Sequence, residues 1–393
     1  MKQIRFLLIA VMLLLMVPAL SLAEYEYSIP YIDRFGEEQT AQMGQIITEK
    51  DKYYYYGILV AKGHVTMSEI SNLRDVTIIL TDDATLEITN GLNLNGGTIT
   101  VYAQKNNTGK LNIRGQDGVS SSFRDGASAI TGNLVVYGGT VTLNGGKGAS
   151  SYDANGRGGN GVNGNLTVGG NGTVSAGGGS GGTARYSCQP GGSGITGDLT
   201  VLDNGSVTAS GGYGGNSAAP GAAGVNGNVT VSGNGQAKLY GASGATNTSY
   251  HIYAGAPGIG GNLTVSENGT VTAVGGNGSQ GNQGYILDDG GNGGAGVAGD
   301  LNASGHAKVK ATGGNGGPAD PLRKSGIGGN AVDGNLVISD EAIVDLNNGN
   351  TPDNLDPDLP KTGDNTPLLL LYIMAVVSGT GIVFFIRRNK QRG

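Results

Sequence analysis

A short phrase that recurs seven times between residues 131 and 346 sets the main constraint on how this chain can fold. It reads Gly, then Asn or Asp, then Leu or Val, any residue, and an apolar residue. The copies begin at Gly132, Gly164, Gly197, Gly227, Gly261, Gly299 and Gly334, with spacings of 32, 33, 30, 34, 38 and 35 residues. Each copy holds two alternating apolar pairs, such as Leu166/Val168 with Val174/Ala176 and Leu263/Val265 with Val271/Ala273. Alternation of period two makes each pair a short, half-buried strand. Two such strands bury almost nothing alone, so the copies must stack to form a core.

Asn-Gly pairs lie between the two strands at Asn171-Gly172, Asn204-Gly205, Asn234-Gly235 and Asn268-Gly269. Asn-Gly signals a hairpin. A two-residue hairpin, however, would put Val265 on the face of Thr272 rather than Val271. Parity permits a three-residue turn with a left-handed Gly, or an arc whose two strands belong to different sheets. The Asn series 133, 165, 228, 262 and 335 favours the arc, because identical residues then ladder vertically; Asp198 and Asp300 read as substitutions in that ladder. The expected fold is all-β, a parallel β-helix or β-solenoid of about seven Gly-rich repeats of 30–38 residues over 131–346, preceded by opening coils over 53–130. Coils should rise by about 4.8 Å each.

Composition supports this. Residues 131–330 hold 59 of the 76 glycines. Each interior Gly costs a helix about 1 kcal/mol relative to Ala, which excludes long helices there. Collagen is excluded too, because the glycines keep no strict period of three and Pro is scarce. Disorder conflicts with the regular Val, Leu and Ala pattern. Some glycines fall at turns and coil starts; the rest read as permissive loops between coils.

Both ends of the chain look like addresses. Lys2 and Arg5 precede an apolar run from Phe6 to Leu20, and Ser21 and Ala23 fit a secretory cleavage site, so residues 1–23 read as a signal peptide. At the other end Leu359, Pro360, Lys361, Thr362 and Gly363 are followed by 19 uncharged residues, Leu368 to Ile386, and then by Arg387, Arg388, Lys390 and Arg392. The span can cross a bilayer, and the basic tail would stay in the cytoplasm. This arrangement resembles the sorting signal of Gram-positive cell-wall-anchored proteins. The resemblance implies that a sortase cuts between Thr362 and Gly363 and joins the Thr362 carbonyl covalently to peptidoglycan, so that residues 364–393 hold the membrane only before sorting. Pro360 would fix an extended backbone, and Gly363 would leave the Thr362 carbonyl open to attack. Residues 347–358 read as an acidic polar tether.

Residues 56–115 continue the strand pattern without the full phrase. Strands are expected at Tyr56 to Val60, Val65 to Met67, Val76 to Leu80, Leu86 to Ile88 and Thr98 to Tyr102, with a turn at Gly91 to Leu94. Together with the later GNLTV and NGTVTA phrases, this order resembles glycine-rich, β-helix-like surface proteins of clostridia and their relatives. That resemblance implies a parallel β-helix on the cell surface and brings no catalytic residues. Residues 24–52 show no clear periodicity and are expected to cap the first coil.

Function is expected in the loops after each second strand, where copies differ in length. Five successive loops carry tyrosine: Tyr152, Tyr186, Tyr213, Tyr250 with Tyr253, and Tyr285. Aromatic faces beside Asn, Ser and Gly suit a glycan or a matrix protein, although the more ordinary role of each ring is to pack its own loop onto the edge of the coil. The alternative is a polysaccharide lyase or hydrolase, which needs acids close together. Repeats one to six offer Asp153, Asp198, Asp203, Glu267, Asp288, Asp289, Asp300 and Asp320, of which only Asp288 and Asp289 are adjacent, so the chain is not expected to be an enzyme. A passive wall spacer is the third reading. No metal or cofactor is expected: the Gly-Gly tracts lack the aspartate of calcium-binding nonapeptides, and Cys188 is the single cysteine. Eight acidic and eight basic residues between 131 and 330, with no basic run, argue against a nucleic-acid partner or any polyanion-binding face. The expectation is a secreted, cell-wall-anchored adhesin.

Overall fold

In the computed structural model the described residues are all-β, and their strands pair in parallel except at the N-terminal hairpin. The structure describes residues 24–48, 57–68, 70, 74–119, 125–151, 155–184, 189–215, 219–244, 252–281, 289–319 and 323–352. The signal peptide, the sorting motif and the apolar span that follows it lie outside the described residues.

The N-terminal region contains β1 (Tyr25–Ile32), β2 (Glu38–Ile46), β3 (Gly57–Ala61), β4 (His64–Met67), β5 (Val76–Leu80), β6 (Thr85–Ile88), β7 (Leu92–Ala103) and β8 (Lys110–Arg114). The repeats supply β9 (Ile130–Val136), β10 (Thr140–Asn144), β11 (Val162–Asn163), β12 (Leu166–Val168), β13 (Thr173–Gly177), β14 (Leu199–Val201), β15 (Ser206–Ser210) and β16 (Val229–Val231). They continue with β17 (Gln236–Tyr240), β18 (Leu263–Val265), β19 (Thr270–Val274), β20 (Leu301–Ala303), β21 (Lys308–Thr312), β22 (Leu336–Ile338) and β23 (Ile343–Asn347).

The two strands of a repeat never pair with each other. The first sheet runs β1-β2-β3-β5-β7-β9-β12-β14-β16-β18-β20-β22, and the second collects β4, β6, β8, β10, β13, β15, β17, β19, β21 and β23. Thus β12 pairs in parallel with β9 and β14, and β13 with β10 and β15. Parity had left hairpin and arc open; this pairing is the arc. The Asn-Gly pair closes a turn, with the Gly205 N–H donating to the Leu202 carbonyl at 2.8 Å. The left-handed residue is the one before Asn, as at Asp203 (φ 55) and Glu267 (φ 57).

A third ladder joins the two sheets. Single parallel bridges link Val162, Ile195, Val225, Ile259, Val297 and Val332 in succession. Its signal in the sequence is one β-branched residue two places before each phrase glycine. The inward residues of all three ladders form one core, in which Val162, Leu166 and Val168 are 0% exposed and Val174 and Ala176 1%.

Residues 24–48, where no periodicity was legible, form the β1–β2 hairpin. β2 extends the sheet edge through Gln45↔Leu59 and Ile46↔Val60. The hairpin also packs across the outer face of that sheet, where Ile29 and Ala41 form a second cluster with Val60 and Ile79. This accounts for the consecutive apolar residues Ile78, Ile79 and Leu80 of β5: Ile78 faces the inner core, and Ile79 faces the hairpin. The turn expected at Gly91 to Leu94 is displaced. β7 is continuous from Leu92, and its irregularity lies between Asn93 and Thr98, where Asn95 (φ 49) and Gly96 (φ 84) take left-handed conformations.

Over their described residues the glycine-rich segments are not permissive loops. Outgoing segments, which follow the second strand, alternate with returning segments, which precede the bridge residue, and successive segments bond backbone to backbone. Gly146 donates to the Ala127 carbonyl at 2.8 Å, Gly159 to Gly146 at 2.8 Å, Gly179 to Gly159 at 2.7 Å, Gly192 to Gly179 at 2.9 Å and Gly212 to Gly192 at 2.7 Å. The series continues through Ala222, Ala242, Ala256, Gly276, Gly294, Gly314 and Gly329 to Gly349. A Cβ on Gly179 would collide with the Gly146 carbonyl, one on Gly192 with Gly159, and one on Gly314 with Gly276. None of these glycines has positive φ among the described residues. At Gly179, Gly192 and Gly314 glycine serves by lacking a side chain, as at the crowded axis of collagen, and not by freedom of the backbone, whereas the same stack admits a methyl group at Ala222, Ala242 and Ala256.

Candidate functional site

Two ladders of polar side chains run along the stack and use different chemistry. At the phrase position, the Asn133 Oδ1 accepts from the Asn165 N–H at 3.0 Å, Asn165 from Asp198 at 2.9 Å, and Asp198 from Asn228 at 2.8 Å. Asn228, Asn262 and Asp300 repeat the contact onto Asn262, Asp300 and Asn335 at 3.0, 2.9 and 2.7 Å. Only an acceptor is needed, which is why Asp198 and Asp300 fit. At the turn, amide meets amide: Asn204 Nδ2 donates to Asn171 Oδ1 at 3.5 Å, Asn234 to Asn204 at 3.0 Å, and Asn268 to Asn234 at 3.2 Å. Each middle residue both donates and accepts, so Asp cannot replace it. The position ends with His306 Nδ1 3.0 Å from Glu341 Oε2.

The candidate acids are tied to this framework. Asp203 Oδ2 accepts from the Gly170 N–H at 3.2 Å, Glu267 Oε2 from Gly233 at 2.6 Å, and Asp289 Oδ1 from Lys324 at 3.0 Å. With Asp198 and Asp300 in the ladder, every described member of the candidate set holds a backbone N–H of another repeat. Asp153, Asp288 and Asp320 lie outside the described residues, as does Cys188. No group of three His, Cys, Asp or Glu side chains able to hold a metal occurs among the described residues.

Of the six candidate tyrosines, Tyr213 and Tyr253 are described; Tyr152, Tyr186, Tyr250 and Tyr285 lie outside the described residues, as do Leu359, Pro360, Lys361, Thr362 and Gly363. Tyr213 sits on an outgoing segment with its side chain 65% exposed, while its carbonyl accepts from Gly181 at 2.9 Å. Tyr253 sits on a returning segment, its N–H donating to Ser279 Oγ at 2.9 Å and its carbonyl accepting from Ser279 at 3.0 Å. Backbone bonding therefore holds both segments in the glycine stack, leaving the Tyr213 ring presented to solvent.

A second aromatic group was not legible in the sequence. Tyr31 of the hairpin, Tyr102 of β7 and Tyr137 after β9 line up on the outer face of the first sheet, with ring centroids 4.8 and 5.5 Å apart. Burial raises the Tyr102 pKa, helped by Tyr31, Tyr137 and Asp33. Arg34, at the hairpin tip, lies 3.3 Å from Asp203 and over the ring of Phe35. The signal was present in hindsight: strand alternation puts Tyr102 and Tyr137 outward, but nothing local places Tyr31 over them.

Comparison of the chain with protein-family models, with curated proteins and with solved structures finds no match.

Proposed function

We propose that this chain is a β-solenoid adhesin of the Gram-positive cell surface, secreted by its N-terminal signal and joined to peptidoglycan by a sortase at Thr362. In this reading the seven repeats and the opening coils stack as one solenoid, the β1–β2 hairpin closes its first edge, and the glycine stack carries ligand-binding side chains outward. The observation that supports ligand binding is Tyr213, an aromatic ring 65% exposed on a segment whose backbone is fixed by the stack. A rigid, exposed aromatic ring binds a glycan or matrix protein at low entropic cost. Anchoring is supported by the order of LPKTG, apolar span and basic tail.

Two experiments test the proposal. Thr362→Ala should move the protein from the covalently bound wall fraction to the detergent-extractable fraction; retention in the wall refutes sorting at this motif. The full chain, applied to a glycan array and to immobilised matrix proteins, should bind a ligand, and Tyr186→Ala/Tyr213→Ala/Tyr250→Ala should weaken that binding at unchanged melting temperature. Loss of stability with binding intact would make the rings packing elements. Absence of any ligand would leave a passive spacer, and sugar release by the purified chain would make it an enzyme.

A further inference from the structure

Folding sorts charges that are balanced in the sequence. The strands β8, β10, β13, β15, β17, β19 and β21 contain no Asp or Glu, yet they carry Lys110, Arg114, Lys238, Lys308 and Lys310. Their inward positions are filled by Val, Leu, Ile and Ala, so every charged residue points outward. Of the described repeat acids, Asp198 and Asp300 lie at the phrase ladder, Asp203 and Glu267 at the turn corners, and Asp289 in a glycine-rich segment. From β8 to β21 the outer face of the second sheet is thus basic, with Glu87 of β6 and Asp345 of β23 flanking it at either end, in a chain whose net charge is -6.

The register arranges this face in columns. Lys110 is followed in its column by Thr140, Thr173 and Ser206, and the column reaches Lys308 through Gln236 and Thr270. The neighbouring column passes Thr142, Ser175 and Thr208 before Lys238, Thr272 and Lys310. Lys238, Lys308 and Lys310 are exposed, and none of them forms an ion pair among the described residues. On the last strand of the same sheet, β23 sets Asp345 beside Lys310, where Asp345 Oδ1 accepts from Asn347 Nδ2 at 3.0 Å. Tyr240, 37% exposed, lies two residues from Lys238 on the same face.

We propose that this face binds a linear sulfated polysaccharide lying along the stacking direction. Lys238 and Lys310 are two strands apart, about 9.6 Å at the usual strand spacing. That is on the order of one disaccharide, the interval at which such polymers repeat their sulfates. The hydroxyl columns offer hydrogen bonds to sugar hydroxyls, and the Tyr240 ring offers an apolar platform for a pyranose face. Those two features favour a sugar over a phosphate polymer, which the lysines alone would not. The inference keeps the ligand-binding role proposed above but assigns a different surface, on the sheet and not on the glycine-rich segments.

The test is binding of the full chain to immobilised heparin, beside chemically desulfated heparin and inorganic polyphosphate. Heparin should bind, the desulfated polymer should not, and salt should weaken the complex. Lys238→Gln/Lys308→Gln/Lys310→Gln should lose about tenfold in affinity at unchanged melting temperature, the sum expected for three exposed charges. Lys62→Gln/Lys105→Gln/Lys324→Gln, which lie off the face, should retain it. No heparin binding, equal binding by the two triple variants, or polyphosphate bound as tightly as heparin overturns the proposal. The two readings fail separately: a ligand that needs Tyr213 but not the lysines leaves the adhesin reading standing without this site, and the reverse result leaves the site without the loops.

Discussion

The N-terminal region and the glycine-rich repeats stack strands in the same register but are held differently. Between β3 and β8 the interior is filled by large side chains, including Leu59, Ile78, Leu86, Ile99 and Leu111, all 0% exposed, and a second apolar cluster seals the outer face under the hairpin. In the repeats the apolar interior thins toward Val and Ala, as in Val174/Ala176 and Val309/Ala311, and a bonded stack of glycine backbone grows beside it. The first region is specified by what its side chains fill, the second by where side chains are absent. One architecture can thus be stabilised by bulk or by close backbone approach.

Truncation should be most damaging in the side-chain region. Leu86→Ala removes most of a fully buried side chain between two sheets and should cost about 2–5 kcal/mol in chemical denaturation. The matching test of the repeats adds atoms. Gly179→Ala puts a methyl group into the Gly146 carbonyl and should cost about 1–3 kcal/mol, the usual range for overpacking. On the permissive-loop view the same change would be neutral or slightly stabilising through the unfolded state, so the sign alone separates the two accounts.

The polar ladders sharpen the comparison at smaller scale. Asn204→Asp deletes the donor to Asn171 and should cost about 0.5–1.5 kcal/mol. Asn133→Asp keeps the acceptor for the Asn165 N–H and should stay within about 0.5 kcal/mol. Equal losses at the two sites would refute the distinction between amide–amide and acceptor-only ladders.

Smallest is a pH effect where the two regions meet. Burial raises the Asp117 pKa, but the Lys147 N–H and the Arg114 guanidinium outweigh it, and the carboxyl is held below its usual range. A lowered folded pKa gives stability that is present above the unfolded pKa and lost as pH falls through the folded one. Both groups are well exposed, so the contribution is a few tenths of a kcal/mol, roughly that of a surface pair. The melting temperature of Asp117→Asn should therefore lie slightly below that of the parent at pH 7 and converge with it in acid.

What could be read from the sequence follows the same division. Alternation located the strand pairs because one residue in two is buried, and the recurring Asn with its two Asp replacements exposed the phrase ladder. Several features escaped. The hairpin over 25–46 packs on residues distant in sequence and leaves no period. The bridge column rests on one β-branched residue per repeat, too few to show alternation. The glycine stack was misread because composition records that a side chain is missing but not whether freedom or contact requires it. The basic sheet face escaped for a related reason: a balanced count conceals which charges folding brings together.

Amide hydrogen exchange along Gly146, Gly159, Gly179, Gly192 and Gly212 tests most directly the claim that glycine here builds a bonded backbone lattice. These amides should be protected as strongly as those of Val174 and Val207 in the adjoining strands and should exchange only with opening of the repeats. Exchange at the rates of unstructured chain, with the strand amides still protected, would contradict the lattice and return the glycines to the role of flexible connectors.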